Sequence, residues 1–434
     1  MSAERRVSLG KRTRGRSDAA LDSVTRQGFW VLVGLVSVSG LGFAFWILAA
    51  HLFPAEAVGI AGSLVSLSTF GAAFAVLGLD AGLVRFAPHA LHPRRLIRSV
   101  VVVTGLLAGG IGVLLPLFIL SMEAVGSGAR VPLIGLSLAF TIGTVWTFVM
   151  NGAFIAARKA QIAAAELCAY GLLKIVLLLV VPAAGVVGLF AAYTIPLFPV
   201  MLTGFVLLPR TWPGENPNGK PQALRDIAGL SVGNWLSAFG YAIPYLCGPA
   251  LVLYFFDPTT AAFFFIALQL GEILNYGSDA LTKSLFAHGS REDRLAGALK
   301  AAVRNRILLV LTPVVALGIV LASFVASAVG GAAFRPHALM IQVFLLATIP
   351  RGLYQVVLVE LNVDRRPRAL ALCGGVFACA TMAGFAAGLL LHATADVLPA
   401  AWVGGGLGVL LFSRHLARRP VGLTTWGSNN PQNR

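Results

Sequence analysis

Acidic residues are scarce, with 17 Asp and Glu among 434 positions. Charged residues of both signs make up only 12% of the chain, about half the share found in a soluble domain. So few charges cannot cover a globular surface, which excludes a soluble enzyme built on one buried core. The 57% hydrophobic content excludes a disordered chain. Cysteine is equally sparse: Cys168, Cys247, Cys373 and Cys379 all lie in apolar stretches. None forms a C-x-x-C pair or has a histidine at metal spacing, so neither a disulfide scaffold nor a metal site is expected.

Catalytic motifs are also missing. The Gly-Lys pairs Gly10-Lys11 and Gly219-Lys220 are each followed by the wrong residue for a phosphate-binding loop, and no H-E-x-x-H occurs. Gly229-Leu230-Ser231-Val232-Gly233 matches G-x-S-x-G but opens an apolar helical run. A nucleophile elbow needs a strand before it. The acids of the outer connections, Glu56, Glu123, Asp257 and Asp396, are scattered in short turns. A membrane glycosyltransferase or polymerase would need them gathered in a structured loop. The sequence therefore reads as no enzyme and calls for no cofactor.

What the chain has in abundance is long apolar runs. Twelve are discernible, at about 28–51, 58–79, 99–121, 132–156, 163–182, 185–208, 229–254, 259–277, 307–329, 337–359, 369–392 and 397–413. Most have the length that crosses a bilayer core. The first follows a long basic tail with no small-residue cleavage site, so it reads as a transmembrane helix rather than a signal peptide. The fold class expected is an all-α polytopic membrane protein of about twelve spans.

The net charge of +16 is distributed unevenly. Thirty of the 33 Lys and Arg fall in the two tails and in the connections after even-numbered runs. Only Arg130 and Arg335 fall on the other side, and Lys174 lies inside the fifth run. Basic residues resist translocation and sit well against anionic lipid, so both termini are expected in the cytoplasm of a multi-pass cell-membrane protein. No basic stretch belongs to a soluble domain that could dock a duplex, so nucleic acid is not an expected partner.

The chain divides into a basic cytoplasmic tail (1–27), a six-helix bundle (28–208), a Pro/Gly-punctuated cytoplasmic linker (209–228), a second six-helix bundle (229–413) and a cytoplasmic tail (414–434). The halves look related. Asp80-Ala81 and His89 recur as Asp279-Ala280 and His288, a shift of 199 residues that also superimposes runs one and two on runs seven and eight. Six spans per half return the chain to the same side, which makes the repeats parallel. Residues Arg291 to Arg306 are more polar, with Leu295, Leu299 and Val303 in register. They suit a surface-lying amphipathic helix or the solvated start of the ninth helix.

Ionisable groups inside the bilayer are costly and so informative. Lys174, among leucines, isoleucine and valine, should face a cavity or a partner carboxylate. Arg351 follows Pro350 and precedes Gly352, which suits a lining role or snorkelling to the inner headgroups. Asn151 and Asn234 are amides within spans, fit for substrate contact or interhelical bonding. Asp80, Asp279 and Glu272 are gate or ion-coupling candidates, with Arg85 a cation near Asp80. Ordinary helix-end carboxylates are the alternative.

The outer turn Pro54-Ala55-Glu56-Ala57-Val58-Gly59-Ile60, the stretch Leu77-Gly78-Leu79-Asp80-Ala81-Gly82-Leu83-Val84-Arg85-Phe86 and the exit Phe154-Ile155-Ala156-Ala157-Arg158-Lys159 follow one another in a familiar order. With twelve spans and minimal outer loops, the chain resembles the MOP exporter superfamily from Gln27 to Arg419. Within it, the chain looks like the polysaccharide-biosynthesis branch, the O-antigen type flippases. That resemblance implies transport of a polyprenyl-diphosphate-linked oligosaccharide by alternating access, in contact with membrane lipids and a polysaccharide polymerase or glycosyltransferases. By position, Lys174 and then Arg351 would meet the diphosphate. A drug or metabolite exporter of the same superfamily and a non-transporting scaffold for glycosyltransferases stay open.

Overall fold

A computed structural model describes residues 3–121, 125–181, 185–221, 224–292, 297–364 and 366–417. The side chains of residues 3–25, 224–234, 276, 277, 280, 281, 283–292, 297–299 and 332 lie outside that description. So do the side chain of Asn234, much of the polar stretch before Arg306 and the tail from residue 418.

Lipid offers a backbone no hydrogen-bond partners, so apolar runs must satisfy their amides internally as helices. Those of the first half are α1 (Ala3–Leu52), α2 (Ala55–Val76), α3 (Leu79–Phe86), α4 (Pro93–Leu120), α5 (Ser127–Ala156), α6 (Ala160–Val180), α7 (Gly185–Thr194) and α8 (Leu197–Thr211). The second half has α9 (Leu224–Phe255), α10 (Pro258–Glu292), α11 (Gly297–Val320), α12 (Ala322–Gly330), α13 (Ala338–Val363), α14 (Pro367–Leu390) and α15 (Ala400–Ala417). Among the described residues eleven segments are long and apolar enough to cross a membrane. With α10, packed between α2 and α13, they make a twelve-span, multi-pass membrane protein. The only β-pairing among the described residues is the isolated Ala90–Lys220 bridge.

The contacts repeat six spans apart. In the first half α1 packs on α6, α2 on α4 and α5, α4 on α5, α5 on α7 and α8, and α6 on α7. In the second, α9 packs on α14, α10 on α11 and α13, α11 on α13, α13 on α15, and α14 on α15. Each of these pairs has its counterpart in the other half. The two bundles are thus a parallel structural repeat, as the 199-residue shift suggests.

The repeat is not kept locally. The sequence reading carries the second run to residue 79 with Asp80 at its end. Instead α2 stops at Val76, Leu77 and Gly78 adopt left-handed conformations (φ 50° and 70°), and α3 restarts with Asp80 in its first turn. Gly78 tolerates that geometry for want of a Cβ. In the second half the equivalent positions, 276 and 277, stay helical, and α10 runs straight through Asp279 to Glu292. Asp80 and Asp279 therefore occupy different local structures. The sixth run also divides, because Pro196 has no N–H to continue α7 and α8 restarts beyond it.

Close approach of the elements depends on small residues. A Cβ at Gly240 of α9 would overlap the backbone of Gly374 in α14, so bare backbone meets bare backbone there. Across the halves, α2 packs on both α9 and α10. Towards one end Ser63 Oγ donates to the Pro249 carbonyl at 3.1 Å, and a Cβ at Gly62 would lie 2.8 Å from the Phe265 ring. Towards the other, Trp235 Nε1 donates to the Ala73 carbonyl at 2.9 Å, and Phe239 stacks on Phe70 and Trp235. The end carrying the Ala73 and Trp235 contact also carries most of the arginines and lysines. It is called the basic end here.

At the basic end residues 212–221 fold back on the first half. Arg94 Nε donates to the Trp212 carbonyl and Arg94 Nη2 to that of Pro209, both at 2.6 Å. Backbone bonds Leu91 N–H to Lys220 O, Asn216 N–H to Leu91 O and Lys220 N–H to His89 O complete a clasp. Arg94→Ala leaves two carbonyls without their charged donor, a loss of about 1.5–3 kcal/mol per bond. The variant should be cut faster by trypsin at Lys220 than the wild type. An unchanged cleavage rate would show that the backbone bonds alone hold the segment.

Candidate functional site

A cavity of about 430 Å³ lies between the halves. The first half contributes Ser39, Gly42, Ser66, Thr69, Tyr170 and Lys174 to its wall, and the second contributes Tyr245, Phe265, Gln269 and Glu272. Helices α1, α2 and α6 thus face α9 and α10 across it. The two halves meet on either side of α2, which leaves this space between them.

Lys174 is 1% exposed, the deepest cation of the cavity. Tyr170 precedes it by four residues, one turn of α6, so both project from the same face. Its Nζ stands 4.5 Å from the centroid of Tyr193, 4.9 Å from that of Tyr170 and 5.7 Å from that of Phe45. Tyr170 in turn donates its hydroxyl to the Tyr193 carbonyl at 3.0 Å, and Phe45 and Trp46 pack edge-on against neighbouring rings. Ring faces carry negative potential, each offering an ammonium roughly 0.5–2 kcal/mol. Among the described residues Lys174 makes no ion pair. The aromatic cage holds the charge without neutralising it.

The opposite wall carries a paired charge. Arg351 Nη1 of α13 donates to Glu272 Oε1 of α10, and Asn275 Nδ2 reaches the same oxygen at 3.3 Å. The guanidinium lies 4.9 Å over the Tyr245 ring. Their side chains retain 16% and 22% exposure, and Glu272 and Tyr245 both line the cavity. Arg351 Nε is buried with no hydrogen-bond partner.

The other sequence candidates fall elsewhere. Asp80 and Arg85 line a second cavity of about 510 Å³, bounded by Trp235, Phe239 and Phe148, and form no ion pair with each other among the described residues. Asn151 lies on α5 with Oδ1 buried and unbonded, lining neither cavity. Asp279 sits seven residues beyond Glu272 on α10. Glu166, two turns before Lys174 on α6, is 7% exposed, with Oε1 unbonded.

Asp80 belongs to α3, outside the apolar spans. Burial pushes its carboxyl above the usual carboxylate range, and the backbone amides of Ala81 and Asp80 draw it back only in part. A raised folded-state pKa means a contribution that is intact below the unfolded value and lost as pH rises through the folded one. Asp80→Asn should therefore melt higher than wild type at pH 7, and the gap should close near about pH 4. A gap independent of pH would place the effect in packing instead.

Sequence reading missed the cage and the tyrosine beneath Arg351. Tyr170 was within reach through its four-residue spacing from Lys174. Phe45, Tyr193 and Tyr245 come from other helices, and nothing local in the sequence marks them.

Solved structures share this fold. The lipid II flippase MurJ, in an inward closed conformation, matches with a TM-score of 0.64 and 11% identity over 91% of this chain and 88% of its own. A MATE transporter in complex with MaL6 matches with a TM-score of 0.62 and 17% identity over 91% and 94%. A MOP-superfamily transporter from Pyrococcus furiosus, described as having a binding pocket of reverse polarity, gives 0.51 and 15% over 91% and 93%. The chain has the MOP-transporter fold. No protein-family profile and no curated protein matches its sequence. At such identities the likeness is one of fold.

Proposed function

We propose that the protein is a flippase that carries a polyprenyl-diphosphate-linked oligosaccharide across the cytoplasmic membrane by alternating access. The basic end, with both termini, faces the cytoplasm. The observation that carries the reading is Lys174, an unpaired cation in a cavity between two halves of a MOP fold. A buried ammonium costs several kcal/mol in a membrane interior, a cost that an anionic cargo offsets on binding. The hydroxyls of Ser39, Ser66 and Thr69 and the rings of Tyr193, Tyr245 and Phe265 suit a sugar, which presents hydroxyls and apolar faces together. The lipid tail would stay outside the cavity.

A cationic drug or metabolite would call for an unpaired acid here. The one acid of the cavity wall, Glu272, is engaged by Arg351, which favours an anionic cargo.

The test is the pool of lipid-linked oligosaccharide in cells with and without the protein. Build-up of the intermediate in the inner leaflet of cells lacking the protein, relieved by the wild-type chain, is the expected result. An unchanged pool in a strain with no second flippase would overturn the assignment.

A further inference from the structure

The cation of the cavity wall and the one paired to its acid are held in opposite ways. Lys174 is caged by rings and meets no acid, whereas Arg351 is already engaged by Glu272. They also lie at different depths. Lys174 is six residues from the end of α6 away from the basic end, roughly 9 Å of helix. Arg351 and Glu272 are 13 and 14 residues from the corresponding ends of α13 and α10, roughly 20 Å. A solute entering from the basic end meets the Arg351 level before Lys174.

We propose that Glu272 is a built-in stand-in for the anionic headgroup of the substrate. It occupies Arg351 while the cavity is empty, and an incoming diphosphate takes over the guanidinium. Three features of the site support such an exchange. The Glu272 carboxylate and the Tyr245 ring are both part of the cavity wall, so an anion arriving there lies beside the guanidinium. Arg351 Nε has no partner and the side chain keeps 16% exposure, so Glu272 does not saturate the planar fork. Asn275 stands against the same carboxylate oxygen and gives the displaced acid a place to rest. The pair holds Arg351 in a ready rotamer above Tyr245, and it keeps a free guanidinium from standing uncompensated in the membrane. The titratable groups facing it are Tyr241 and Tyr245 of α9, Asp279 of α10, Tyr354 of α13 and Lys174 across the cavity.

This inference rests on the flippase reading, and one experiment separates the two. Farnesyl diphosphate, a short polyprenyl diphosphate, is titrated into the purified full chain and into Glu272→Gln, Lys174→Met and the double variant Glu272→Gln/Arg351→Met. The expected result is that Glu272→Gln binds about tenfold tighter than wild type, that adding Arg351→Met removes the gain, and that Lys174→Met weakens binding. Tighter binding on removal of an acid is not what mere damage to packing produces, since damage weakens binding. Glutamine also keeps the shape and the hydrogen bond of the carboxylate, so folding is retained. If binding depends on Lys174 but is equal in wild type and Glu272→Gln, the stand-in role is wrong and the anionic-cargo reading survives. If none of the four proteins binds the probe, both are overturned.

Discussion

Lys174→Met should abolish most transport while leaving the protein folded. The substitution keeps an unbranched chain of similar length inside the ring cage of Phe45, Tyr170 and Tyr193 and removes only the charge. Cation–π stabilisation of roughly 0.5–2 kcal/mol per ring is lost. The larger cost of holding an ammonium in the membrane interior disappears as well. The two effects oppose each other, so the melting midpoint should be unchanged or raised. Transport should nonetheless fall at least about tenfold, equivalent to about 1.4 kcal/mol at the rate-limiting step. The measurement is the inner-leaflet pool of lipid-linked oligosaccharide beside the abundance and melting temperature of the variant. Full transport at normal abundance would leave the cavity without a role for its buried cation and would favour the scaffold reading. A fall in both transport and melting temperature would make Lys174 structural.

A single methyl group at Gly59 should force the end opposite the basic end apart. Gly59, in the second turn of α2, meets the first turn of α10, and a Cβ there would overlap the carbonyl oxygen of Pro258 and stand 2.8 Å from its carbonyl carbon. The obstacle is backbone at the start of a helix, which cannot swing aside as a side chain can. Overpacking of this kind costs about 1–3 kcal/mol when the surroundings hold and is relieved when they move. The relieving movement separates α2 from α10, a packing contact between the two halves. Gly59→Ala should therefore expose Ser63, which is fully buried one turn further on and bonded to the Pro249 carbonyl. With the four native cysteines replaced, a cysteine at position 63 should react with a membrane-impermeant thiol reagent several-fold faster in Gly59→Ala than beside Gly59. Equal rates would mean that the halves close on other contacts. Transport should fall as well, because alternating access needs both ends to shut in turn.

How much of this was legible beforehand varies with the range of the interaction. The span count, the positions of the helices and the parallel repeat follow from apolar runs of bilayer length and from charge asymmetry. Both act on each segment separately, because lipid forces every apolar stretch to close its own hydrogen bonds. Lys174 stood out for the same reason, as a charge that no isolated membrane helix should carry. Local breaks were less legible. The left-handed Leu77-Gly78 turn and the helical residues 276 and 277 stand at equivalent places in the two halves, yet the matching Asp-Ala motifs suggested one structure.

Apolar runs and the placement of charge are enough to specify a twelve-span membrane protein of two related halves with one conspicuous buried cation. Tertiary structure alone decided how that cation is held and what faces it. Phe45, Tyr170 and Tyr193 reach Lys174 from three helices. Glu272 and Arg351 are 79 residues apart and meet only because α10 packs on α13. Asp80 and Arg85, neighbours in sequence, line a different cavity and do not pair. The physical reason is that pairing in a membrane interior depends on distance across packed helices, which periodicity along one helix does not encode.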